Sequence, residues 1–258
     1  MKAVHSPTEP TLFRPDDILA QRGKSPWLEP LFGDGRNEVV LICDAPGSTT
    51  STASVDPDYN EFWFVLRGEY EWLIGDHAPI SAAKGDIVMR PAAVGHTINV
   101  VGDEPGLRIA VYGPDGATTN GSDEDITKVS SKTEPPNMLL TPTSSLLANS
   151  DDRRFTIIED DRNTVYLIRE YPGTVSKAHW HFDFDEWWFI AGGELVFEVG
   201  EGRPKIQAKD GDIVFTPRGF RHQIRTIGDQ PSLRMPVTTA DNVHIWTDDD
   251  TTAPPSRA

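Results

Sequence analysis

Cysteine is nearly absent from this 258-residue chain, where Cys43 stands alone. An intramolecular disulfide is therefore excluded, and so is a zinc or iron–sulfur site built on cysteine. Cys43 lies in the apolar run "EVVLICDA", where a buried structural thiol is expected rather than a nucleophile. Basic residues are scarce too: 24 Lys and Arg face 40 Asp and Glu, a formal charge of -16 that repels nucleic acid and anionic membrane surfaces. No run of about 18 or more apolar residues occurs, and "MKAVHSPTEPTLF" holds no apolar stretch of the signal-peptide kind. These absences lead to the expectation of a soluble, cytoplasmic protein that acts on a small molecule and has neither nucleic acid nor membrane as partner.

What the chain does contain, it contains twice. "NEVVLICDAPGSTT" from Asn37 is echoed by "NTVYLIREYPGTVS" from Asn163, and "NEFWFVLRGEYEW" from Asn60 by "DEWWFIAGGELVF" from Asp185. "KGDIVMRPAAVGH", ending at His96, is echoed by "DGDIVFTPRGFRH", ending at His222. A steady offset marks a duplicated domain. Between the copies, residues 113–136 are rich in Gly, Ser, Thr, Asp and Pro and read as a linker. The expected organisation is a first domain at 1–112, the linker, a second domain at 137–246 and a frayed tail at 247–258. A duplicated chain resembles an internal dimer, so a monomer or a homodimer is expected.

Within each copy, short segments rich in Val, Ile, Phe, Trp and Tyr alternate with Gly, Pro and Asp, as in "TVYLIREY", "AHWHF", "EWWFIAG", "ELVFEVG", "DIVFTP" and "RHQIRTI". Many short strands with no amphipathic helix between them predict an all-β chain of two small barrels in tandem. "DDILAQR" and "TSSLLANS" are expected as short helices leading into each copy.

The densest chemistry is "KAHWHFDFDEWWF". On a strand, His179 and His181 face the same side, roughly 6.6 Å apart at about 3.3 Å per residue. Glu186 opens the next strand and His222 a later one. Three neutral imidazoles and a carboxylate suit a divalent first-row metal: iron(II), manganese(II), nickel(II) or zinc(II).

These spacings resemble those of the cupin superfamily. Gly173, His179, His181, Glu186 and Gly193 fit its first motif, and Gly211, Pro217, Gly219 and His222 fit its second. The likeness spans both halves and implies a bicupin of two tandem jelly-roll (double-stranded β-helix) barrels. It implies His179, His181, Glu186 and His222 as metal ligands. The first copy keeps Gly47, Glu61, Gly68, Gly85, Pro91 and His96, but Ala53 and Val55, or Ser54 and Asp56, stand where the paired histidines belong. That barrel is expected to be metal-free.

Four protein ligands leave about two positions open on a metal that accepts six, which suits catalysis. The cupin likeness admits dioxygenases, oxalate decarboxylases and oxidases, isomerases and lyases. "HWH" followed by "DEW" is similar to oxalate decarboxylases, yet those carry an arginine three residues before the first histidine and this chain has Ser176. Other candidate cations for a substrate are Arg169, Arg221, Arg225 and Arg234. Strand parity puts Arg221 and Arg225 on the face opposite His222, and puts Ile224 and Thr226 beside it. Parity with Glu186 places Trp188 on the lumen as a candidate substrate wall, and Phe215 is expected to join it. The leading expectation is an Fe(II) dioxygenase, or related oxidoreductase, acting on a small aromatic or enolisable acid. The alternatives are a non-redox isomerase, decarboxylase or lyase, and a non-catalytic binding or storage protein.

Overall fold

The computed structural model describes residues 5–50, 54–114, 119–120, 133–148 and 150–246. Most of the expected linker and the whole expected tail lie outside the described residues, as does Ala53. The two helices are Pro15–Arg22 and Thr143–Ala148, in the segments where they are expected. The rest of the regular structure is strand.

The chain divides into two compact units, one of Asp16–Asp151 and one of Ser6–Pro15 with the chain from Asp152 onward. In the second unit, a six-stranded sheet runs in the order Thr11–Phe13, Ile213–Thr216, Glu186–Gly192, Ser232–Thr238, Thr164–Glu170, Arg154–Glu159. Its five-stranded partner runs Ile206–Lys209, Glu194–Val199, His222–Ile227, His179–Trp180, Ile245–Trp246. Trp188, Ile190 and Val214 from one sheet meet Leu195, Phe197 and Ile224 from the other in a single apolar cluster, which is the wall of the barrel lumen. The first unit repeats this plan with one six-stranded and one five-stranded sheet, all pairings antiparallel.

The sequence patterns follow from burial. "EWWFI" at Glu186–Ile190 is apolar without alternation because both faces of that strand are buried: Trp187 is 0% and Trp188 2% exposed. In the five-stranded sheet, His222–Ile227 alternates, with His222, Ile224 and Thr226 buried and Arg225 in solvent. Gly193 makes the turn out of the Glu186–Gly192 strand at φ 71°, where a Cβ would come within 2.6 Å of the Pro231 carbonyl oxygen. No L side chain fits there, which is why the motif has glycine. Cys43 is buried in the Glu38–Asp44 strand, and burial raises its thiol pKa.

The units do not follow the sequence repeat at its edges. Thr11–Phe13, the leader of the first copy, pairs with Ile213–Phe215 in the second unit. Leu140–Pro142, the leader of the second copy, pairs with Asp86–Val88 in the first. Each short strand adds an edge to a sheet whose other strands come from the opposite copy.

Candidate metal centre

His179 is on the short strand His179–Trp180, directly opposite His222 on its neighbour. The strand expected through "AHWHF" stops at Trp180, so His181 begins the turn. The Gly219 N–H donates to the His181 carbonyl at 2.7 Å and fixes that turn against the Pro217–Gly219 bend. Arg218 closes the same junction: its backbone N–H and Nε donate to Asp185 Oδ1 at 2.8 and 3.0 Å, and Nη1 donates to the Asp183 carbonyl at 2.8 Å. The loop before Glu186 is thereby held against the bend before His222.

The four side chains are buried, and one ligand atom from each lies within 4.8 Å of all the others. Each imidazole is oriented through its far nitrogen. Nδ1 of His179, His181 and His222 lies 3.0, 2.9 and 3.1 Å from the carbonyl oxygens of Lys177, Val243 and Phe220. A carbonyl only accepts, so each Nδ1 carries a proton, and in the neutral ring each Nε2 presents a lone pair inward. Such bonds to the far ring nitrogen are the usual way a protein orients imidazole ligands.

Inside, His179 Nε2 and His222 Nε2 are 3.0 Å apart, His181 Nε2 is 2.8 Å from Glu186 Oε2, and His222 Nε2 is 3.1 Å from the same oxygen. Two lone pairs at 3.0 Å repel unless a cation stands between them. Ligand atoms at about 2.1 Å from one ion and at right angles lie roughly 3.0 Å apart, against roughly 3.4 Å for a tetrahedral set. These three separations match the first case, so the donors suit a divalent ion that His179, His181, Glu186 and His222 would hold.

Burial lowers the His179 pKa to about 3, with the neighbouring His222 adding to the effect, so this imidazole is neutral near pH 7. For His181, burial also pulls down, but Glu186 outweighs it and the pKa is raised. Burial would raise Glu186, yet His181 and His222 hold it well below the usual carboxylate range. In the metal-free centre the Glu186 carboxylate therefore favours a proton on His181, and below that raised pKa an arriving ion must displace it. Below the raised His181 pKa, metal loading is expected to release one proton and affinity to fall about tenfold per pH unit. Above it, both dependences vanish. Calorimetric titration of Mn(II) in two buffers of different ionisation enthalpy counts the proton.

A fourth imidazole belongs to the surroundings. His244 packs on His179 and His181 with ring centroids 4.5 and 4.9 Å away, and stacks on Trp246. Trp246 pairs with His179 in the sheet, and Lys177 Nζ lies 5.0 Å from its ring centre. The terminal strand Ile245–Trp246 thus borders the centre. Sequence reasoning missed it because its counterpart, Thr119–Asn120, falls inside the expected linker and offers no chemistry to compare.

Trp188 is 2% exposed and meets His222 edge-on at 5.2 Å and Phe197 at 5.2 Å. The expectation that Phe215 joins it is corrected by the register: Trp188 pairs with Val214, and Phe215 pairs with Trp187 on the opposite face. Ile224 and Thr226 are buried beside His222, and Arg221 and Arg225 are exposed. Arg169 donates to the Asp152 carbonyl at 3.1 Å, and Arg234 is buried on the lumen side of Ser232–Thr238. The Ser176 hydroxyl accepts the Ile224 N–H at 2.9 Å and supplies no cation.

In the first unit, the counterpart of Glu186 is Glu61, whose carboxylate lies 3.0 Å from Arg90 Nη2 and 3.9 Å from His96 Nε2. Arg90 stands at the place of Thr216 and is fully buried. A fixed guanidinium balances the carboxylate there, and His96 packs on Trp63 at 4.9 Å as His222 does on Trp188. The metal-cluster residues found among the described side chains are those of the second unit alone.

Comparison with known proteins agrees with this architecture. A chain described as oxalate decarboxylase, in a study of its substrate binding mode and reaction specificity, superposes with a TM-score of 0.60 at 14% identity, covering 96% of this chain and 82% of that one. Oxalate decarboxylase from Bacillus subtilis at pH 4.6 gives 0.58 at 15% identity, covering 96% and 81%. A third structure, from work on the Mn(II) centres of the B. subtilis enzyme, gives 0.57 at 14%, covering 96% and 82%. Among curated sequences, the spore coat polysaccharide biosynthesis protein SpsL of B. subtilis (strain 168) is 25% identical over 120 residues, 36% of this chain and 75% of that protein. The Cupin domain model matches residues 40–112 and again 166–238. With both repeats matched and the four ligands gathered in the second, the chain belongs to the cupin family, as a bicupin.

Proposed function

We propose that the second barrel is the active centre of a metal-dependent, non-redox enzyme, a decarboxylase or lyase of small carboxylic acids, with Mn(II) the best-suited ion. The observation that carries this reading is the inward convergence of three Nδ1-locked imidazoles and the Glu186 carboxylate, with ligand atoms 2.8, 3.0 and 3.1 Å apart at three contacts. The likeness to oxalate decarboxylases over 96% of the chain supports the reaction class. A bound divalent ion would act as a Lewis acid on a carbonyl or carboxylate oxygen. The chain's own part is to hold the four ligands rigid, to keep water off one side with Trp188, Phe197 and Ile224, and to border the other with His244 and Trp246. Oxalate itself fits poorly, because the cation expected before the first histidine is replaced by Ser176, whose hydroxyl is tied to the backbone.

The Fe(II) dioxygenase, the leading expectation from the sequence, becomes the second reading, favoured by the apolar wall beside His222. The two separate cleanly by experiment. Protein loaded with Mn(II) or Fe(II) is incubated with a panel of oxo, hydroxy and dicarboxylic acids, and CO2 release and O2 uptake are followed together. Product formation without O2 consumption is expected. Uptake of O2 in step with substrate loss would replace this reading by the oxygenase, and no turnover with metal fully bound would favour the binding protein.

A further inference from the structure

We infer that Arg234 is an anion anchor in the second barrel: its guanidinium holds a carboxylate of a small acid whose other oxygens face the metal ligands. This rests on reading the second barrel as the working site. The position follows from register. Arg154, Ile168, Arg234 and Ile190 pair in sequence across four strands, so they form one row on one face of the sheet. Ile190 belongs to the lumen cluster, which fixes that face as the inner one.

Arg234 is 7% exposed, yet it makes no hydrogen bond or ion pair among the described residues. A buried guanidinium without a partner is unfavourable, and proteins keep such a group where something else completes it. Burial lowers its pKa, and the fields of Glu170 and Glu186 oppose that only in part.

The duplication supplies an internal control. The counterpart of Arg234 in the first barrel is Arg108, which donates to Asp44 through Nε at 2.8 Å and Nη2 at 3.3 Å. The Tyr70 hydroxyl adds a third bond to Asp44 at 3.0 Å. In the second barrel Glu170 replaces Asp44 and Leu195 replaces Tyr70. Leucine has no hydroxyl, and the near charge of Glu170 is Arg153 at 3.7 Å. Where the metal ligands are lost, the arginine is locked; where they are intact, it is free to bind.

The same row carries a second cation. Arg154 is two strands away, about 10 Å by strand spacing, and its guanidinium lies 3.6 Å over the Tyr166 ring. A planar guanidinium receives a carboxylate through two parallel charge-assisted hydrogen bonds, about twice as strong as those a neutral oxygen accepts. The chemical class is therefore a small acid with one carboxylate for Arg234 and a further oxygen group for the metal, as in a dicarboxylate or an oxo acid.

The test uses the full chain loaded with Mn(II), titrated calorimetrically with acetate, malonate, succinate and neutral malonamide at fixed ionic strength. At least one dicarboxylate is expected to bind about tenfold or more tightly than malonamide, and Arg234→Met to remove that advantage. Manganese content should stay at the parent value and the thermal midpoint should hold or rise, with Arg234→Lys recovering part of the affinity. A midpoint that drops as far as that of Arg108→Met would make Arg234 a structural residue and overturn the proposal. So would a panel in which no affinity depends on Arg234. Arg234-dependent binding with no turnover of any acid keeps the anchor and removes the enzymatic reading. Turnover of a neutral substrate that is indifferent to Arg234→Met removes the anchor and keeps the enzyme.

Discussion

His179→Ala is expected to abolish stoichiometric metal binding, lowering affinity more than 100-fold, whereas His96→Ala leaves it unchanged. His179 is one of the four inward donors found among the described residues, and its Nε2 lies 3.0 Å from His222 Nε2. Loss of groups that merely orient a ligand costs roughly 10- to 100-fold, so loss of a ligand must cost more. His96 also faces a buried glutamate, at 3.9 Å, but that carboxylate already has Arg90 as its counter-charge. Metal analysis after dialysis, followed by competition with a chelator of known affinity, measures both variants. Full binding by His179→Ala would remove the site assignment, and loss of binding by His96→Ala would move the site to the other barrel.

Arg90→Met is expected to destabilise the protein by about 3–5 kcal/mol, the usual cost of removing one partner of a buried ion pair. Arg90 and Glu61 are both fully buried in their side chains. Arg90 Nη1 also donates to the carbonyls of Pro91, Asp56 and Val94 at 2.9, 3.2 and 3.3 Å, and Nη2 to Tyr59 at 3.4 Å. Methionine fills the volume but leaves the carboxylate without its counter-charge and removes the guanidinium's donors from these carbonyls. The double variant Arg90→Met/Glu61→Leu removes the orphaned charge and should recover more than half of the loss. Urea unfolding of the parent and both variants gives the comparison. A shift below about 1 kcal/mol for the single change would mean that the pair contributes little beyond packing.

Much of this was legible because local chemistry and geometry coincide at the second-copy motif. Two histidines, a glutamate and a later histidine are gathered by the neighbouring strands His179–Trp180 and His222–Ile227 of one sheet and by Glu186–Gly192 of the other. Glycine at 193 is demanded by a backbone that admits no Cβ. What was hidden depends on pairing between distant segments. The side of the sheet taken by Phe215 follows from which residue opposes Trp188, and strand parity counted within one segment does not supply that register. His244 approaches the centre only because Ile245–Trp246 pairs with His179–Trp180. The unpartnered state of Arg234 is invisible until its twin Arg108 is seen bound to Asp44, which Tyr70 also holds, since both arginines look alike in sequence.

The two leader strands carry a consequence for dissecting the molecule. A fragment cut at the start of the second copy, near residue 137, leaves behind Thr11–Phe13, which borders Ile213–Thr216, and carries off Leu140–Pro142, which borders Asp86–Arg90. Each half would then display a naked sheet edge and a stray strand that fits the other half, the ingredients of reciprocal association rather than of two independent modules. The unit of gene duplication and the unit of folding are offset by one strand, so neither copy is a self-sufficient inheritance.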